Sequence, residues 1–228
     1  MPANSSVSER PERFGRLVDY YGEEGFRRVR AARVAVVGLG GVGSHAALAL
    51  ARSGVGGLRL IDFDLVTASS LNRSAAAGPA DVGRPKAEAL AEQLARTCPD
   101  TAVEIRLAFC DAATAPALLA PPLDWAIDAI DSLNPKTDLL EHCVRAALPV
   151  ASSMGASARH DLTAVRVGDL SETSVCALAR KLRQRLHRRG ITGGIPCVWS
   201  TEAPGEALEP DLGDRVLERG RVRRRLPS

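Results

Sequence analysis

The sequence predicts an α/β fold built on a doubly wound, mostly parallel β-sheet. Short apolar runs alternate with longer amphipathic segments along the chain, which is typical of parallel strands joined by helical crossovers. The first apolar run, Val34-Ala-Val-Val, leads directly into the turn Gly38-Leu-Gly40-Gly41-Val-Gly43-Ser44. A second run ends at Asp62, about 20 residues further on, which is the spacing of a Rossmann-like nucleotide-binding unit.

The remaining elements follow from apolar patterning and from residues that begin or end helices. We predict strands at 33–37, 58–62, 103–107, 125–131, 149–152 and 163–167. We predict helices at 13–30, 43–52, 85–95, 113–119, 134–147 and 174–189. Glycines around Gly54 end the second helix, Asn134 caps the fifth, and Pro85 and Pro135 lie in first turns, which tolerate proline.

These elements divide the chain into four regions. Residues 1–12 are rich in Ser, Pro and Glu and are predicted to be disordered. Residues 13–168 contain an N-terminal helical segment followed by the nucleotide-binding fold. Residues 169–202 contain a strongly basic helix and a loop expected to contact substrate. Residues 203–228 are predicted to be a charged, disordered, basic C-terminal extension.

Length and composition limit the class of protein. The chain of 228 residues suits one domain with appendages, and 45% of the residues are hydrophobic, enough for a core. Aromatic residues make up only 4%, which disfavours a base-stacking platform for single-stranded nucleic acid. The formal net charge of +3 does not by itself indicate a polyanionic partner, but basic residues concentrate late in the chain.

The cysteine pattern excludes a zinc site made of paired cysteines. None of the five cysteines forms a C-x-x-C pair; they are Cys98, Cys110, Cys143, Cys176 and Cys197. An odd number of cysteines without a signal peptide indicates reduced thiols, so we expect a cytoplasmic protein. No apolar run approaches the roughly 20 residues of a membrane helix, so no transmembrane segment is expected.

Charged residues should collect at one edge of the sheet, beyond the carboxyl ends of its strands. The glycine turn should meet Asp62, Asp64, Asp128 and Asp131 there. The turn opens a helix whose N–H groups and dipole favour a phosphate. These observations indicate a nucleotide but do not identify it.

Two cations near this edge favour phosphoryl or adenylyl transfer over hydride transfer. Arg73 follows the second strand in a loop, and Lys86 lies at the start of the next helix. Such groups stabilise the charge that builds on phosphate oxygens in the transition state. Asp131 ends the central strand, where a carboxylate can hold Mg²⁺ between phosphates. No His or Lys marks a nicotinamide pocket.

Several independent motifs resemble the ThiF/MoeB/HesA superfamily, relatives of the ubiquitin-activating enzymes. They are Gly-x-Gly-Gly-x-Gly-Ser, Ile-Asp-x-Asp, Asn-Arg, Val-Gly-x-x-Lys and Asp-Ala-Ile-Asp. Four further segments resemble the branch of tRNA threonylcarbamoyladenosine dehydratases: Arg13-Phe-Gly, Asp128-Ala-Ile-Asp131-Ser, Lys181-Leu-Arg-x-Arg-Leu186 and Cys197-Val-Trp-Ser-Thr-Glu202. The resemblance runs from about Arg13 to Glu202 and includes the absence of paired zinc cysteines.

The resemblance implies an ATP-dependent enzyme that acts on tRNA carrying threonylcarbamoyladenosine beside the anticodon. ATP would adenylate the threonyl carboxylate and release pyrophosphate. A nucleophile of the same modified base would then expel AMP and close a ring. The family also implies a homodimer and Mg²⁺, with a sulfur-transfer protein as a candidate partner.

The resemblance assigns roles to individual positions. The implied ATP-binding residues are Gly38, Gly40, Gly41, Gly43, Asp62, Asp64, Ser70, Asn72, Arg73, Lys86 and Asp131. The implied catalytic residues are Arg73, Lys86, Asp131 and Arg16, with Asp131 also the metal ligand and Arg16 reaching the partner's site. Ser70 stands where the family usually has Asn. For Cys197, a structural or substrate-loop role is favoured over a nucleophile, because ring closure needs no thioester.

The basic helix and the overall activity each leave an alternative open. Beside an anionic substrate, the helix is expected to contact tRNA phosphates through Arg180, Lys181, Arg183 and Arg188; otherwise it is a solvated face. One alternative activity is adenylation of the C-terminus of a ubiquitin-like sulfur carrier. A second is an NAD-binding oxidoreductase or a nucleotide-binding regulatory module.

Overall fold

The computed structural model describes residues 12–205 and the backbone of two short strands beyond them. Its strands are β1 (Arg33–Val37), β2 (Gly57–Ile61), β3 (Ala102–Arg106), β4 (Trp125–Asp128), β5 (Val150–Ser153), β6 (Val165–Asp169), β7 (Pro196–Ser200), β8 (Val216–Glu218) and β9 (Arg221–Arg223). Its α-helices are α1 (Gly15–Ala31), α2 (Gly41–Arg52), α3 (Lys86–Thr97), α4 (Ala115–Leu118), α5 (Leu133–Arg145) and α6 (Ala177–Arg188).

The main sheet confirms the predicted doubly wound α/β fold. Its seven strands lie in the order β3-β2-β1-β4-β5-β7-β6, and only the β6–β7 pair is antiparallel. The order reverses direction at β1, with β2 on one side and β4 on the other. A ligand crevice forms at such a switch point, beyond the carboxyl ends of the strands.

Helices cover both faces of the sheet. Successive side chains of a strand point to opposite faces, so each central strand packs against helices on both sides. Val34 and Val36 of β1 pack in one apolar cluster with residues of α2 and α3. Ala35 and Val37, the alternate positions, belong to the second cluster with residues of α5 and α6. This two-sided burial explains why β1 reads as a continuous apolar run.

The predicted N-terminal helical segment is present as α1. Phe14, Val18 and Phe26 form a small apolar cluster, and the rings of Phe14 and Phe26 lie 5.2 Å apart. Gly22, at φ 71° and ψ 165°, interrupts the helical backbone within α1.

The structure differs from the prediction at two sites. Residues 196–200, expected within a substrate loop, form β7, a strand inserted between β5 and β6. Cys197 and Trp199 are buried and Val198 is exposed, as in a strand with one face on the core. Helix α5 begins at Leu133, after its N-cap Ser132, so Asn134 lies inside the helix and is not its cap.

The termini were predicted to be disordered, and most of those residues lie outside the described part of the chain. This applies to 1–11, 206–215, 219–220 and 224–228. Within the C-terminal region, β8 and β9 pair as antiparallel strands. Among the described residues, no helix combines the length and apolarity needed to cross a membrane.

Candidate nucleotide site

The glycine turn between β1 and α2 has no room for side chains at two positions. A Cβ atom at Gly43 would lie 1.8 Å from the carbonyl oxygen of Gly38. Gly38 has φ +86°, and a Cβ there would lie 2.9 Å from the carbonyl oxygen of Ala129, beyond β4. The turn therefore folds tightly against the end of β4, and both positions require glycine.

The N-terminus of α2 presents backbone N–H groups at this turn. No side chain caps the helix, whose cap residue is Gly40. Ser44 donates from its backbone N–H and its hydroxyl to the Gly40 carbonyl, at 3.1 and 2.8 Å. The first N–H groups of a helix have no partner within it, and the helix dipole favours an anion there. The arrangement suits a phosphate group.

Asp62 braces the turn from the end of β2. Its Oδ2 accepts from the backbone N–H of Leu39 at 2.6 Å, and its Oδ1 accepts from the N–H of Asp64 at 2.8 Å. Burial raises the pKa of Asp62 above its ordinary value, although nearby Lys86 acts in the opposite direction. Each carboxylate oxygen accepts a second hydrogen bond when a donor is near, so a ribose hydroxyl fits here.

Lys86 is the first residue of α3 and lies beside the glycine turn. Its Nζ lies 2.7 Å from Oδ2 of Asp64, and both side chains are partly exposed. Gly40, Gly41, Arg73 and Lys86 line one small pocket. The structure therefore brings together the glycines and the two cations that the sequence singled out.

The loop between β2 and α3 holds Arg73 against the glycine turn. A Cβ atom on Gly41 would lie 3.3 Å from Cδ of Arg73. The Arg73 guanidinium donates to the carbonyl oxygen of Ser69 at 2.6 Å and to Oδ1 of Asn72 at 3.2 Å. Asn72 therefore orients Arg73, and both side chains are exposed.

Ser70 lines the pocket, but its hydroxyl is occupied by the loop itself. The side chain is buried, and its Oγ accepts from the backbone N–H of Thr67 at 3.2 Å. It also lies 2.9 Å from the Thr67 hydroxyl. The hydroxyl thus caps the short 3-10 turn at 68–70, a role that sequence reasoning did not assign to it.

The two acidic residues after β4 have different surroundings. Asp131 is exposed at the carboxyl edge, and its Oδ1 accepts from the Ser132 hydroxyl at 3.3 Å. Asp128 is fully buried and accepts from the Ser152 hydroxyl at 2.6 Å. Of these two carboxylates, Asp131 is the one that a ligand can reach.

Sequence reasoning missed Lys136, the partner of Asp128. Its Nζ lies 2.7 Å from Oδ2 of Asp128, and both side chains are completely buried. Nζ also donates to the carbonyl oxygens of Ile130 and Ser153, at 3.0 and 2.8 Å. The sequence contained a signal of this burial, because Lys136 lies on the same helix face as Leu133 and Leu140. A lysine exposed to solvent would lie on the opposite, polar face of the helix.

An aromatic pair next to Asp62 was also missed. The rings of Phe63 and Phe109 meet edge to face with centroids 5.0 Å apart. Phe63 follows β2 and Phe109 follows β3, so both lie beyond carboxyl ends of parallel strands. Phe63 is 39% exposed, which leaves part of its ring available to stack on a base.

One of the four α6 residues predicted to contact RNA forms hydrogen bonds within the protein. Arg183 is half-buried and donates to the carbonyl oxygen of Thr173 at 2.6 Å and to its hydroxyl. Arg180, Lys181 and Arg188 are exposed, without an ion pair to any other residue in the described ranges.

Arg16, the residue predicted to act in a partner's site, is exposed in the first turn of α1 and does not line the small pocket at the glycine turn.

Cys197 lies inside β7, where its chemistry is that of a buried thiol. Burial raises the pKa of Cys197 to about 11, and the nearby Asp169 adds to the shift. A thiol with such a pKa is almost fully protonated at neutral pH and is a poor nucleophile. The geometry is in accord with the structural role favoured from the sequence.

The fold and the site are those of an α/β protein in which a glycine turn flanked by cations suits a nucleotide. A match to the ThiF family covers residues 14–209, and the chain belongs to this family. It is 40% identical over 209 residues to tRNA threonylcarbamoyladenosine dehydratase 2 of Saccharomyces cerevisiae, covering 90% of this chain and 47% of that protein. The chain thus spans about half the length of the yeast relative.

Two further comparisons cover most of both proteins. The Escherichia coli tRNA threonylcarbamoyladenosine dehydratase is 38% identical over 199 residues, which cover 84% of this chain and 74% of that one. The crystal structure of the E. coli enzyme, TcdA, in complex with ATP superposes with a TM-score of 0.80. The superposition covers 84% of this chain and 82% of that chain.

Proposed function

We propose that this chain is an ATP-dependent tRNA-modifying enzyme that cyclises threonylcarbamoyladenosine beside the anticodon. The observation that carries the proposal is the glycine turn at the N-terminus of α2, flanked by Arg73 and Lys86. Relatives at 37–40% identity over most of this chain are named for this reaction, which supports the assignment.

Each part of ATP has a chemically suited group at the site. The phosphates face the N–H groups of α2, with Arg73 and Lys86 as counter-charges and Asn72 orienting Arg73. The ribose hydroxyls face Asp62. The adenine stacks on Phe63. Gly38 and Gly43 keep the turn narrow enough for the backbone to approach the phosphates.

Mg²⁺ fits the donor set at the end of β4. This ion keeps several waters and binds through one or two carboxylates together with substrate phosphates. Asp131 supplies one exposed carboxylate there, and no cluster of three or more ligating side chains occurs within the described ranges. When bound, Mg²⁺ would neutralise phosphate charge.

The chemistry divides into two balanced steps. In the first, an oxygen of the threonyl carboxylate attacks the α-phosphorus of ATP, and the bond to pyrophosphate breaks. In the second, a nucleophilic atom of the same modified base attacks the acyl carbon, loses its proton and expels AMP. Arg73 and Lys86 stabilise charge on the phosphate oxygens in the first step. The ring that forms has lost one water relative to the starting base.

The assembly and the RNA contacts are part of the same proposal. We place the protein in a homodimer in which Arg16 reaches the partner's nucleotide site. Arg180, Lys181, Arg183 and Arg188 of α6 contact tRNA phosphates, and Arg183 also anchors α6 through its hydrogen bond to Thr173. A sulfur-transfer protein remains a candidate partner.

Nucleoside analysis of tRNA incubated with the protein tests this function. Threonylcarbamoyladenosine should convert to a product lighter by one water, with one AMP released per product. NAD in place of ATP, or tRNA without the modification, should give no product. ATP–pyrophosphate exchange that requires a ubiquitin-like carrier and not tRNA would instead establish the adenylation of a sulfur carrier.

A further inference from the structure

A second pocket lies at the edge of the sheet opposite the nucleotide site. Strand β7 runs parallel to β5, so its first residue, Pro196, is at the edge where the parallel strands begin. The pocket is lined by residues just before β7, by Leu170 and Ser171 after β6, and by the last turns of α6. The glycine turn follows the carboxyl end of β1, at the other edge.

The pocket has the size and the apolar surface of a small-molecule site. Its volume is about 530 Å³, within the roughly 300–1,000 Å³ that is usual for such sites. Leu170, Leu186 and Ile195 are almost completely buried beneath it, and the partly exposed Ile191, packed against them, gives the pocket an apolar wall. A flat, uncharged ring such as a nucleobase can pack against this wall.

The charged residues around the pocket are cationic. Arg183 and Arg188 line it, and no Asp or Glu lines it within the described ranges. The carboxylate of Asp169 lies next to Gly193 and accepts hydrogen bonds from three backbone N–H groups. Those N–H groups hold the carboxylate away from ligands, and the two guanidinium groups of the lining outnumber it, so the pocket favours an anion.

Both of these guanidinium groups are available to a ligand. Arg188 is exposed and has no ion pair to another described residue, unlike the adjacent Arg189, which pairs with Asp138 at 2.8 Å. The hydrogen bonds of Arg183 to Thr173 both start from Nη1, so its Nε and Nη2 hydrogens have no partner among the described residues. A guanidinium with free donors is suited to a phosphate.

We propose that this pocket receives a nucleotide of the RNA substrate, with its phosphate on Arg183 and Arg188 and its base on the apolar wall. The inference rests on the proposed function, because it takes RNA as the source of the nucleotide. Proteins recognise RNA largely through unstacked bases, which need an apolar surface beside a cationic one. The pocket lies away from the ATP site, so it is a separate anchor for the tRNA.

The test measures RNA affinity without ATP, using the anticodon arm as the probe. Arg188→Gln should raise the dissociation constant about tenfold and reduce the salt slope by about one unit. Arg52→Gln is the matched control, since Arg52 is likewise an exposed last residue of a helix and lies outside the pocket. The control should bind RNA as the wild type does; equal losses in both variants would contradict the proposal.

A second variant fills the cavity and leaves its charged residues unchanged. Thr192 is exposed and lines the pocket, so Thr192→Trp should fill it. We expect this variant to lose RNA affinity by about tenfold with an unchanged salt slope, because no phosphate contact is removed. Leu162→Trp, at a highly exposed site outside the pocket, controls for the added ring. Wild-type affinity in Thr192→Trp would overturn the proposal.

The same experiments separate this inference from the proposed function. A wild-type protein that binds RNA in a Thr192-dependent manner but forms no cyclised product would retain the pocket and refute the dehydratase assignment. Normal cyclisation with unchanged RNA affinity in both pocket variants would refute the pocket alone. Full competition by free guanosine monophosphate at equal concentration would overturn RNA as the occupant.

Discussion

The ammonium of Lys136 lies 2.7 Å from the carboxylate of Asp128, with both side chains completely buried. Lys136 also donates to the carbonyl oxygens of Ile130 and Ser153, and Ile130 donates from its N–H to Asp128. The pair thus joins the ends of β4 and β5 to the backbone on which Gly38 packs. It determines the position of the segment that carries Asp131.

Lys136→Met should be strongly destabilising. It leaves the buried charge of Asp128 without a partner, and breaking such a pair costs about 3–5 kcal/mol of unfolding free energy. The double variant Asp128→Asn/Lys136→Met removes both charges and should recover part of that loss. Urea unfolding of the three proteins measures this, and a double variant no more stable than Lys136→Met would contradict the role of the ion pair.

Gly43→Ala should prevent the glycine turn from closing. The added Cβ would lie 1.8 Å from the Gly38 carbonyl, a backbone atom that cannot rotate away. We expect a loss of about 1–3 kcal/mol in unfolding free energy together with loss of ATP binding by calorimetry. Gly40→Ala is the control for stability, because a Cβ at Gly40 meets no atom within 4 Å. Equal stability of the two variants would contradict the argument.

Lys86→Ala should reduce catalysis more than folding. Removal of one preorganised charge contact to a transition state costs about 10²–10³-fold in turnover. Lys86 and Asp64 keep 13% and 23% of their side chains exposed, so the variant should lose less stability than Lys136→Met, whose pair is completely buried. Arg96→Ala, on the same helix and 69% exposed, should react at the wild-type rate. Single-turnover formation of the cyclised base is the measurement, and full activity in Lys86→Ala would remove this residue from the site.

Ionisation of Asp62 should make the folded protein less stable as the pH rises above the ordinary pKa of an aspartate. Burial raises the pKa of Asp62 in the folded state, so the folded protein holds this proton more tightly than the unfolded chain. Its contribution to unfolding free energy is therefore greatest below about pH 4 and declines as the pH rises through the folded-state pKa. Unfolding of wild type and Asp62→Asn across acidic pH measures this component. It should be absent from the variant, and parallel curves would contradict the shift.

Arg16 should act in the partner's site if the proposed homodimer is correct. An Arg16→Ala chain mixed with a Lys86→Ala chain should regain activity, because one of the two sites then has both residues. An Arg27→Ala chain, altered at an exposed position of the same helix, should be fully active by itself. Heterodimers that form and stay inactive would exclude a site shared between subunits.

Much of the site followed from the sequence because its determinants are local. The positions of Gly38, Gly43 and Asp62 are set by a strand, a tight turn and the end of the next strand, within about 25 residues. The cations Arg73 and Lys86 lie in the loop and helix that come next, so chain connectivity alone brings them to the same edge. The hydrogen bonds of the Ser70 hydroxyl within its own loop, to Thr67, were not expected from the sequence.

Features that depend on distant contacts were not visible in the sequence. Strand β7 pairs with β5, more than 40 residues earlier, and no local pattern selects that partner. The burial of Lys136 depends on carbonyl groups at the ends of β4 and β5. The internal bond of Arg183 to Thr173 likewise distinguishes it from its exposed neighbours on α6.

The sequence by itself determined the order of the strands and helices as far as α6, the glycine turn and the charged residues that flank it. These features depend on backbone sterics and on the period of apolar residues, both of which act over short stretches of chain. Only the tertiary structure decided which charges are buried in pairs and which face solvent. It also decided where the second pocket forms. Both depend on how the sheet closes around β5, β6 and β7, since burial is a property of the packed molecule and not of any one segment.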